Sequence, residues 1–359
     1  MSAIPETMAG VLLTGHGGLD KLAWREGLPT PRPGAGEVLI RVAAASVNNT
    51  DVNTRIGWYS KSVRGDTAEG ARAGLDDLDS SDSSWSGAAL DFPRIQGADC
   101  CGRIVAVGDG VDPGRIGERV LVRAMQATGA SGDPMAIWTF GADCDGGFAQ
   151  YAKTFAAEAL PVESDWSDLE LATIPCAYST AEGMIQRGGL AAGERVLITG
   201  ASGGVGSAAI QLAARRGARI TAVTTPHKAE ALRALGAETT IGRDDPIPAD
   251  AFDLVLDLVG GPRWPALLDA LRRGGRYVTS GAIAGPIVEL DLRTLYLRDL
   301  TLFGSTYQPA NILPDVISYI EAGEIEPLVA AVYDLKDLRA AQEAFLEKAG
   351  VGKIAIRVP

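Results

Sequence analysis

The chain has 359 residues, 46% of them hydrophobic and 22% charged, which is enough apolar material for two domains with packed cores. A formal net charge of −12 speaks against nucleic acid as the main partner, because a phosphate backbone needs a basic face. No stretch reaches the apolar length of a membrane span, and MSAIPETMAG at the start has neither the basic nor the apolar region of a secretory leader. Cys100, Cys101, Cys144 and Cys176 form no CxxC pair and no disulfide framework, so a reducing, cytoplasmic setting is expected.

The first half is rich in short β-like segments: AGVLLTG, EVLIRVAAASV, GRIVAVG, ERVLVRA and GGFAQYAK. Gly and Pro clusters such as PTPRPGAGE separate them, which predicts a β-rich, barrel-like domain. Glycine is abundant, 44 residues or about one in eight against a usual ~7%, as many tight turns require. Residues 60–91 break the pattern, being polar, Ser/Asp/Gly-rich and weakly periodic. Loops of that length are lids, binding loops or disordered, and this one is read as a surface excursion near the mouth of a cleft, with Trp85 a candidate anchor.

From about Asp165 helix and strand alternate. The predicted strands are RVLITG, RITAVTT, TTIG, FDLVLDLVG, GRYVTSG and TLFGS, with HKAEALRALG and WPALLDALRRG among the helices between them. Such alternation implies a parallel sheet covered on both faces. The tail is helical and ends in KIAIRV, a strand read as returning to the first domain.

Inside the second half, VLITGASGGVG carries the strongest motif. Val196, Leu197 and Ile198 read as a buried strand, and the helix-forming SAAIQLAARRG follows. Ala201, Gly203 and Gly206 stand where a dinucleotide-binding turn has its three glycines, with Ser202, Gly204 and Val205 completing the loop. The free N–H groups and the positive end of the helix would then hold the phosphates. An NAD-preferring site places an acid about 20 residues further on, to bind the ribose hydroxyls. Here that position is Thr224, so no carboxylate stands to repel a 2′-phosphate.

Together PRPGAGEVLIRVAAASVNNTD, GADCCGRIVAVG, IPCAYSTAEG, the GASGGVG turn and the terminal GKIAI resemble the medium-chain dehydrogenase/reductase superfamily, specifically its zinc-free quinone oxidoreductase branch. The resemblance covers nearly the whole chain. It implies an α/β protein in which a GroES-like β-rich catalytic domain (residues 1–164, rejoined by 306–359) accompanies a Rossmann domain with a doubly wound parallel sheet (165–305). The active site would lie in the cleft between them.

Zinc-dependent members of that superfamily hold their metal with three protein ligands, usually Cys, His and Cys. Against their pattern the first Cys–His pair is Asn48–Asn49, followed by Thr50–Asp51, and Gly–His–Glu is Gly97–Ala98–Asp99. Only Cys176 matches a ligand position, and Cys144 stands alone where a structural zinc lobe would be. No metal is therefore expected; Cys176 is read as a small buried thiol lining the cleft, and Cys100 and Cys101 as strand neighbours facing opposite ways.

The resemblance also points to NADPH. Lys228 matches the lysine that NADPH-using quinone reductases set against the 2′-phosphate, and Arg243 falls where they carry an aromatic phosphate neighbour. A guanidinium binds phosphate bidentately. Ser280, Gly281 and Ala282 would lie near the nicotinamide carboxamide, flanked by Thr180 and Tyr178. Of the two histidines, His16 is read as structural and His227 as a candidate phosphate neighbour; neither has a nucleophilic partner.

Without a Lewis acid, a quinone or an alkene conjugated to a carbonyl is a better hydride acceptor than an isolated carbonyl, because the product anion is delocalised. Asn48 is the candidate hydrogen bond to the acceptor carbonyl, and Tyr59 matches a tyrosine that resembles a proton donor in quinone and enoyl-thioester reductases. Asn53 stands where many quinone reductases carry another tyrosine. The expected activity is NADPH-dependent reduction of a small quinone or enone. The alternatives are a zinc-dependent alcohol dehydrogenase, an enoyl-thioester reductase, or an NADPH-binding protein without turnover. A homodimer is implied by the resemblance, with LRDLTLFGSTY as a candidate edge strand, an internal strand being the other reading.

Overall fold

The run EVLIRVAAASV extends as the strand Glu37–Val47, whose β-branched and small apolar side chains suit a surface packed on both faces. Cys101–Val107 pairs with it antiparallel, as does Tyr151–Phe155 at its start. The last strand of the chain, Lys353–Arg357, pairs with its far end, Ile354 opposite Val47, and Val329–Asp334 adds parallel to that strand. Both chain ends thus build one seven-stranded sheet. Cys100 belongs to the core on one side of it and Cys101 to the core on the other, so the two thiols do face opposite ways. The computed structural model describes residues 3–75, 78–126 and 135–359, so Met1 and Ser2 of the N-terminal segment lie outside the described residues.

The second sheet has six strands, and every neighbouring pair is parallel. Numbered along the chain from Arg195–Ile198, the strands stand in the order 3-2-1-4-5-6, that of a doubly wound nucleotide-binding fold. Val196, Ile198, Leu254 and Leu256 enter the core under the helices Pro175–Gly188 and Gly204–Arg215, while Leu197 and Val255 enter the opposite one beside Trp264 and Leu268. Each such side chain contributes roughly 1.5–3 kcal/mol by leaving water. The tail divides. Leu313, Val316, Ile317 and Ile320 of the helix Ile312–Glu321 pack into the second core beside Pro175–Gly188, and only the strands after it return to the first sheet. Among the described residues no helix is long and apolar enough to cross a membrane.

The excursion over residues 60–91 is built rather than structureless, although its residues 76 and 77 lie outside the described residues. It contains the short helix Thr67–Ala71, and the Thr67 N–H donates across to the Ile283 carbonyl beyond the second sheet, at 3.2 Å. Trp85 is only half-buried, and the anchoring falls to other residues. The fully buried Arg55 guanidinium donates to the carbonyls of Ala71 (2.6 Å) and Gly17 (2.7 Å) and to Gln342 Oε1 (2.9 Å). His16 is structural, its Nδ1 3.1 Å from the Thr54 carbonyl and its Nε2 2.8 Å from Ser83 Oγ.

The helix Asn49–Ile56 leads into that excursion, and Asp51 closes its first turn by accepting from the Asn48 N–H (2.7 Å) and the Ala98 N–H (3.2 Å). Burial above all, with the Asp99 carboxylate adding to it, pushes the Asp51 carboxyl up to about 7. An unfolded aspartate titrates near ~3.9, so between about pH 4 and 7 the native state holds a proton that the unfolded chain has released. Its contribution to stability therefore falls as pH rises through that window, by about 1.4 kcal/mol per pH unit. Urea midpoints measured across pH 4–7 should decline with this slope, and Asp51→Asn should flatten it.

Candidate active site

In a sheet of this order, ligands lie outside the carboxyl ends of the strands where the order reverses, here between Arg195–Ile198 and Phe252–Asp257. The strand Arg195–Ile198 leads through a turn to the helix Gly204–Arg215. The left-handed residue of that turn is Gly200, φ 58°, not Ala201, which is buried; this is why an alanine is tolerated at the first motif position. Gly203 caps the helix without a side chain, leaving the first N–H groups of the helix free for an anion. A Cβ at Gly206 would lie 2.3 Å from the Gly200 carbonyl oxygen, so the third glycine is required by close packing. The buried Asp257 ties the crevice edge together, accepting from Thr199 Oγ1 and the Tyr277 hydroxyl (both 2.5 Å) and from the Val259 and Gly260 N–H groups. Ser280, Gly281 and Ala282 follow the strand Leu271–Thr279 at this same edge, each half-buried.

At the far end of the crevice, three cations converge. Thr224 ends its strand buried, with Oγ1 making no hydrogen bond, and Thr225 Oγ1 is likewise orphaned. Lys228 is 4% exposed; its Nζ donates to the Lys348 carbonyl and lies 3.5 Å from Ser202 Oγ. Burial first, then the neighbouring Arg243 and Lys348 charges, pull the Lys228 ammonium down. Lys348 is lowered in the same way by burial and Arg243, with Asp66 of the excursion partly offsetting it. Mutual repulsion of this kind marks a place where an anion is stabilised. Lys348 was not legible as a site residue, since it caps the helix Leu338–Glu347 and reaches this place only through the fold. His227 is exposed on the surface.

The opposite wall joins residues of the first domain to the start of the helix Pro175–Gly188. Asn48, Asp99 and Cys176 meet there, as the metal-ligand pattern anticipates, but around a lysine. Lys353 Nζ donates to Asn48 Oδ1 and, at 2.9 Å, to Asp99 Oδ2. Asn48 Nδ2 donates to the same carboxylate oxygen at 2.7 Å, Ser46 Oγ also donates to it, and the Cys176 N–H donates to Asp99 Oδ1 at 2.7 Å. Burial foremost, then Asp99, hold the Cys176 thiol well above its usual range. One thiol, an amide already bonded at both ends and a carboxylate paired with an ammonium are a poor ligand set for a catalytic zinc, and among the described residues no group of three His, Cys, Asp or Glu side chains that could hold a metal stands together. The amide hydrogens of Asn48 thus point mainly to Asp99.

Tyr59 is half-buried, its hydroxyl donating to Thr50 Oγ1 at 3.1 Å. Burial is the main cause that pushes this phenol up to about 12, with Cys176 and Asp51 near enough to add to it. Thr180 is half-buried on the helix Pro175–Gly188, Oγ1 3.4 Å from Gln308 Nε2. Tyr178 departs from expectation. Its ring is fully buried in the second core, and its hydroxyl donates to the Glu326 carbonyl at 2.5 Å, turned away from the crevice.

Comparison with known proteins agrees with this architecture. Residues 34–164 match the family described as alcohol dehydrogenase GroES-like domain, and residues 204–322 that described as zinc-binding dehydrogenase. A solved structure of a putative alcohol dehydrogenase from Sinorhizobium meliloti is 45% identical, with TM-score 0.89 over 99% of this chain and 98% of that one. A thermostable alcohol dehydrogenase structure from Pyrobaculum aerophilum is 31% identical, with TM-score 0.81 over 98% and 99%. An acryloyl-coenzyme A reductase of Sulfurisphaera tokodaii is 27% identical over 92% of this chain and 95% of its own length, and a crotonyl-CoA reductase of Streptomyces avermitilis 28% identical over 92% and 80%. With a GroES-like sheet, a 3-2-1-4-5-6 parallel sheet and a 45% identical full-length relative, the chain belongs to the medium-chain dehydrogenase/reductase superfamily.

Proposed function

We propose that this protein is an NADPH-dependent, zinc-independent reductase of alkenes conjugated to a carbonyl, enones and enoyl thioesters foremost. The observation that carries the reading is the Asn48–Lys353–Asp99 cluster standing where a metal would otherwise polarise a substrate oxygen. The full-length similarity to acryloyl-CoA and crotonyl-CoA reductases supports the acceptor class. Quinones, which also delocalise an incoming electron pair, belong to the same test.

The crevice fits NADPH. Its glycine turn is open at Gly203, and Lys228, Lys348 and Arg243 converge where a 2′-phosphate needs cations. When bound, that cofactor supplies the hydride. Ser280, Gly281 and Ala282 would border its carboxamide, with Thr180 facing them. Hydride addition at the β-carbon moves the alkene electron pair toward the carbonyl oxygen, and the resulting enolate takes a proton at the α-carbon. Tyr59 keeps its proton throughout the neutral range and can donate it, being reprotonated from solvent.

NADPH oxidation by chelator-treated protein should proceed with enones or enoyl thioesters and be slow with saturated aldehydes and ketones. Tyr59→Phe should lower kcat by about 10²-fold or more. Turnover confined to simple carbonyls and lost with the chelator would overturn the reading. Removing Lys228 and Lys348 together as alanines should weaken NADPH at least tenfold, since a hydrogen bond to a charged group is worth about 1.5–3 kcal/mol, and leave NADH nearly unchanged. Equal losses for both cofactors would refute the phosphate assignment.

We also propose a homodimer. Among the described residues Thr301–Gly304 pairs on one side only, with Leu271–Thr279, and so stands at an edge of the second sheet. Beside it Leu292, Tyr296 and Leu297 are 64%, 63% and 54% exposed, an apolar patch that a second copy would cover. Mass measured in solution should be that of two chains, falling to one on Leu297→Asp. A wild-type monomer would exclude the assembly.

A further inference from the structure

The excursion over residues 60–91 touches both domains at once, a bridge that neither the cofactor turn nor the acceptor wall requires. Its segment Asp66–Arg72 is fastened to the helix Leu338–Glu347 of the first domain. Arg72 reaches two acids one turn apart on that helix, Nη1 donating to Glu343 Oε1 at 2.7 Å and Nη2 to Glu347 Oε1. The buried Arg55 ties the same two pieces together, donating to the Ala71 carbonyl at 2.6 Å and to Gln342 Oε1 at 2.9 Å. Lys348, which caps this helix, accepts at its carbonyl from Lys228 at the phosphate end of the crevice.

From that base the segment crosses to the second domain. The Thr67 N–H donates to the Ile283 carbonyl at 3.2 Å, and Thr67 is 4% exposed. Among the described residues this is the one hydrogen bond between Asp66–Arg72 and the second domain. Its acceptor side is rigid. The Ala284 N–H donates to the Val259 carbonyl at 2.9 Å, the Gly261 N–H to the Gly285 carbonyl at 3.2 Å, and a Cβ at Gly261 would lie 2.5 Å from the Ala284 carbonyl oxygen. Asp66, one residue before Thr67, brings a carboxylate close enough to Lys348 to offset part of what burial and Arg243 do to that ammonium. Two consecutive residues thus meet Lys348 and Ile283, which places the segment across the crevice between its phosphate end and the loop after Leu271–Thr279.

We propose that Asp66–Arg72 is a strap over the dinucleotide crevice, hinged on the first domain through Arg55 and Arg72 and latched to the second by the Thr67–Ile283 hydrogen bond, and that the cofactor enters and leaves only while this latch is open. The unequal fastening decides which end moves. Guanidinium hydrogen bonds, the stronger kind, hold the base, whereas one neutral amide holds the latch. Such a bond shifts an equilibrium by a factor of about two to ten, enough to keep the strap shut for most of the time and little enough to break without unfolding its surroundings. The proposal rests on the reading of the crevice as an NADPH seat.

Thr67→Pro removes the latch donor alone. Thr67 is the first residue of the helix Thr67–Ala71, a position that suits proline, and Asp66 before it already stands at φ −77°, ψ 167°, as a residue preceding proline requires. Stopped-flow binding should show association and release at least about threefold faster in T67P than in wild type, for NADPH and NADH alike, with Kd changed by less than about twofold. Both rates rise together because the same bond closes the crevice before and after binding. A folded T67P with both rates within about 1.5-fold of wild type overturns the strap and leaves the cofactor seat intact. A weaker Kd with release unchanged overturns it too, since Thr67 would then belong to the seat itself. Should T67P not fold, Arg72→Ala carries the test, because that side chain is 53% exposed and its loss strands no buried charge. Freeing the base lowers the effective concentration of the latch, so R72A should also speed both rates, by about twofold, and unchanged rates in R72A then overturn the strap. A wild type that prefers NADH overturns the phosphate assignment alone, as the latch is tested with either cofactor. A wild type that binds neither overturns the seat and the strap together.

Discussion

A lysine ammonium held out of water by an amide and a carboxylate is the contact around which this structure is arranged. Burying two charges costs several kcal/mol per ion unless their bonds are met, so Lys353 and Asp99 persist only because Asn48, Ser46 and the Cys176 N–H complete the cluster. Those partners come from far apart in the chain. Asn48 follows the strand Glu37–Val47, Cys176 lies on a helix that packs under the second sheet, and Lys353 begins the final strand. The cluster therefore exists only when both chain ends share one sheet and that sheet is docked against the glycine turn. Satisfying the charge and closing the crevice are one requirement.

Electrostatics give the crevice two distinct ends. The chain as a whole is acidic, at −12, yet positive charge is gathered at Lys228, Lys348 and Arg243 on one side, whereas Lys353 on the other is neutralised by Asp99. Local positive potential inside an acidic molecule discriminates by position rather than by bulk attraction, which suits an anionic cofactor better than a polyanion. The excursion over residues 60–91 joins this arrangement by hydrogen bond, through Thr67 to Ile283, and by charge, through Asp66 beside Lys348. Its composition reads as loose, but the buried Arg55 holds it to the first domain.

Much of the second domain was legible in advance. Six predicted strands appear as six strands, because a parallel sheet buried on both faces demands unbroken apolar runs such as Val196–Ile198. The motif around Ala201 was legible from its spacing; which residue takes the left-handed conformation of the turn was not, and Gly200 supplies it. Tyr178 was misplaced because helical spacing alone does not say which face of Pro175–Gly188 meets the core. Asn48 was recognised as a residue at a metal position beside Asp99, but how its amide is held depends also on Lys353, which the metal-ligand pattern does not bring near it.

Apolar periodicity and the glycine turn are local properties of the chain, and they decide the two-sheet architecture and the seat of a dinucleotide. Lys353 and Lys348 are different. Along the chain one is the first residue of a terminal strand, inside the GKIAI motif, and the other a helix cap, and neither position says which side chains its ammonium will meet. Only the docking of that strand beside Val47 carries one ammonium to Asn48, 305 residues away, and sets the other beside Lys228, 120 residues away. Contacts at such separations are set by how sheets and helices pack, and packing is a property of the whole fold.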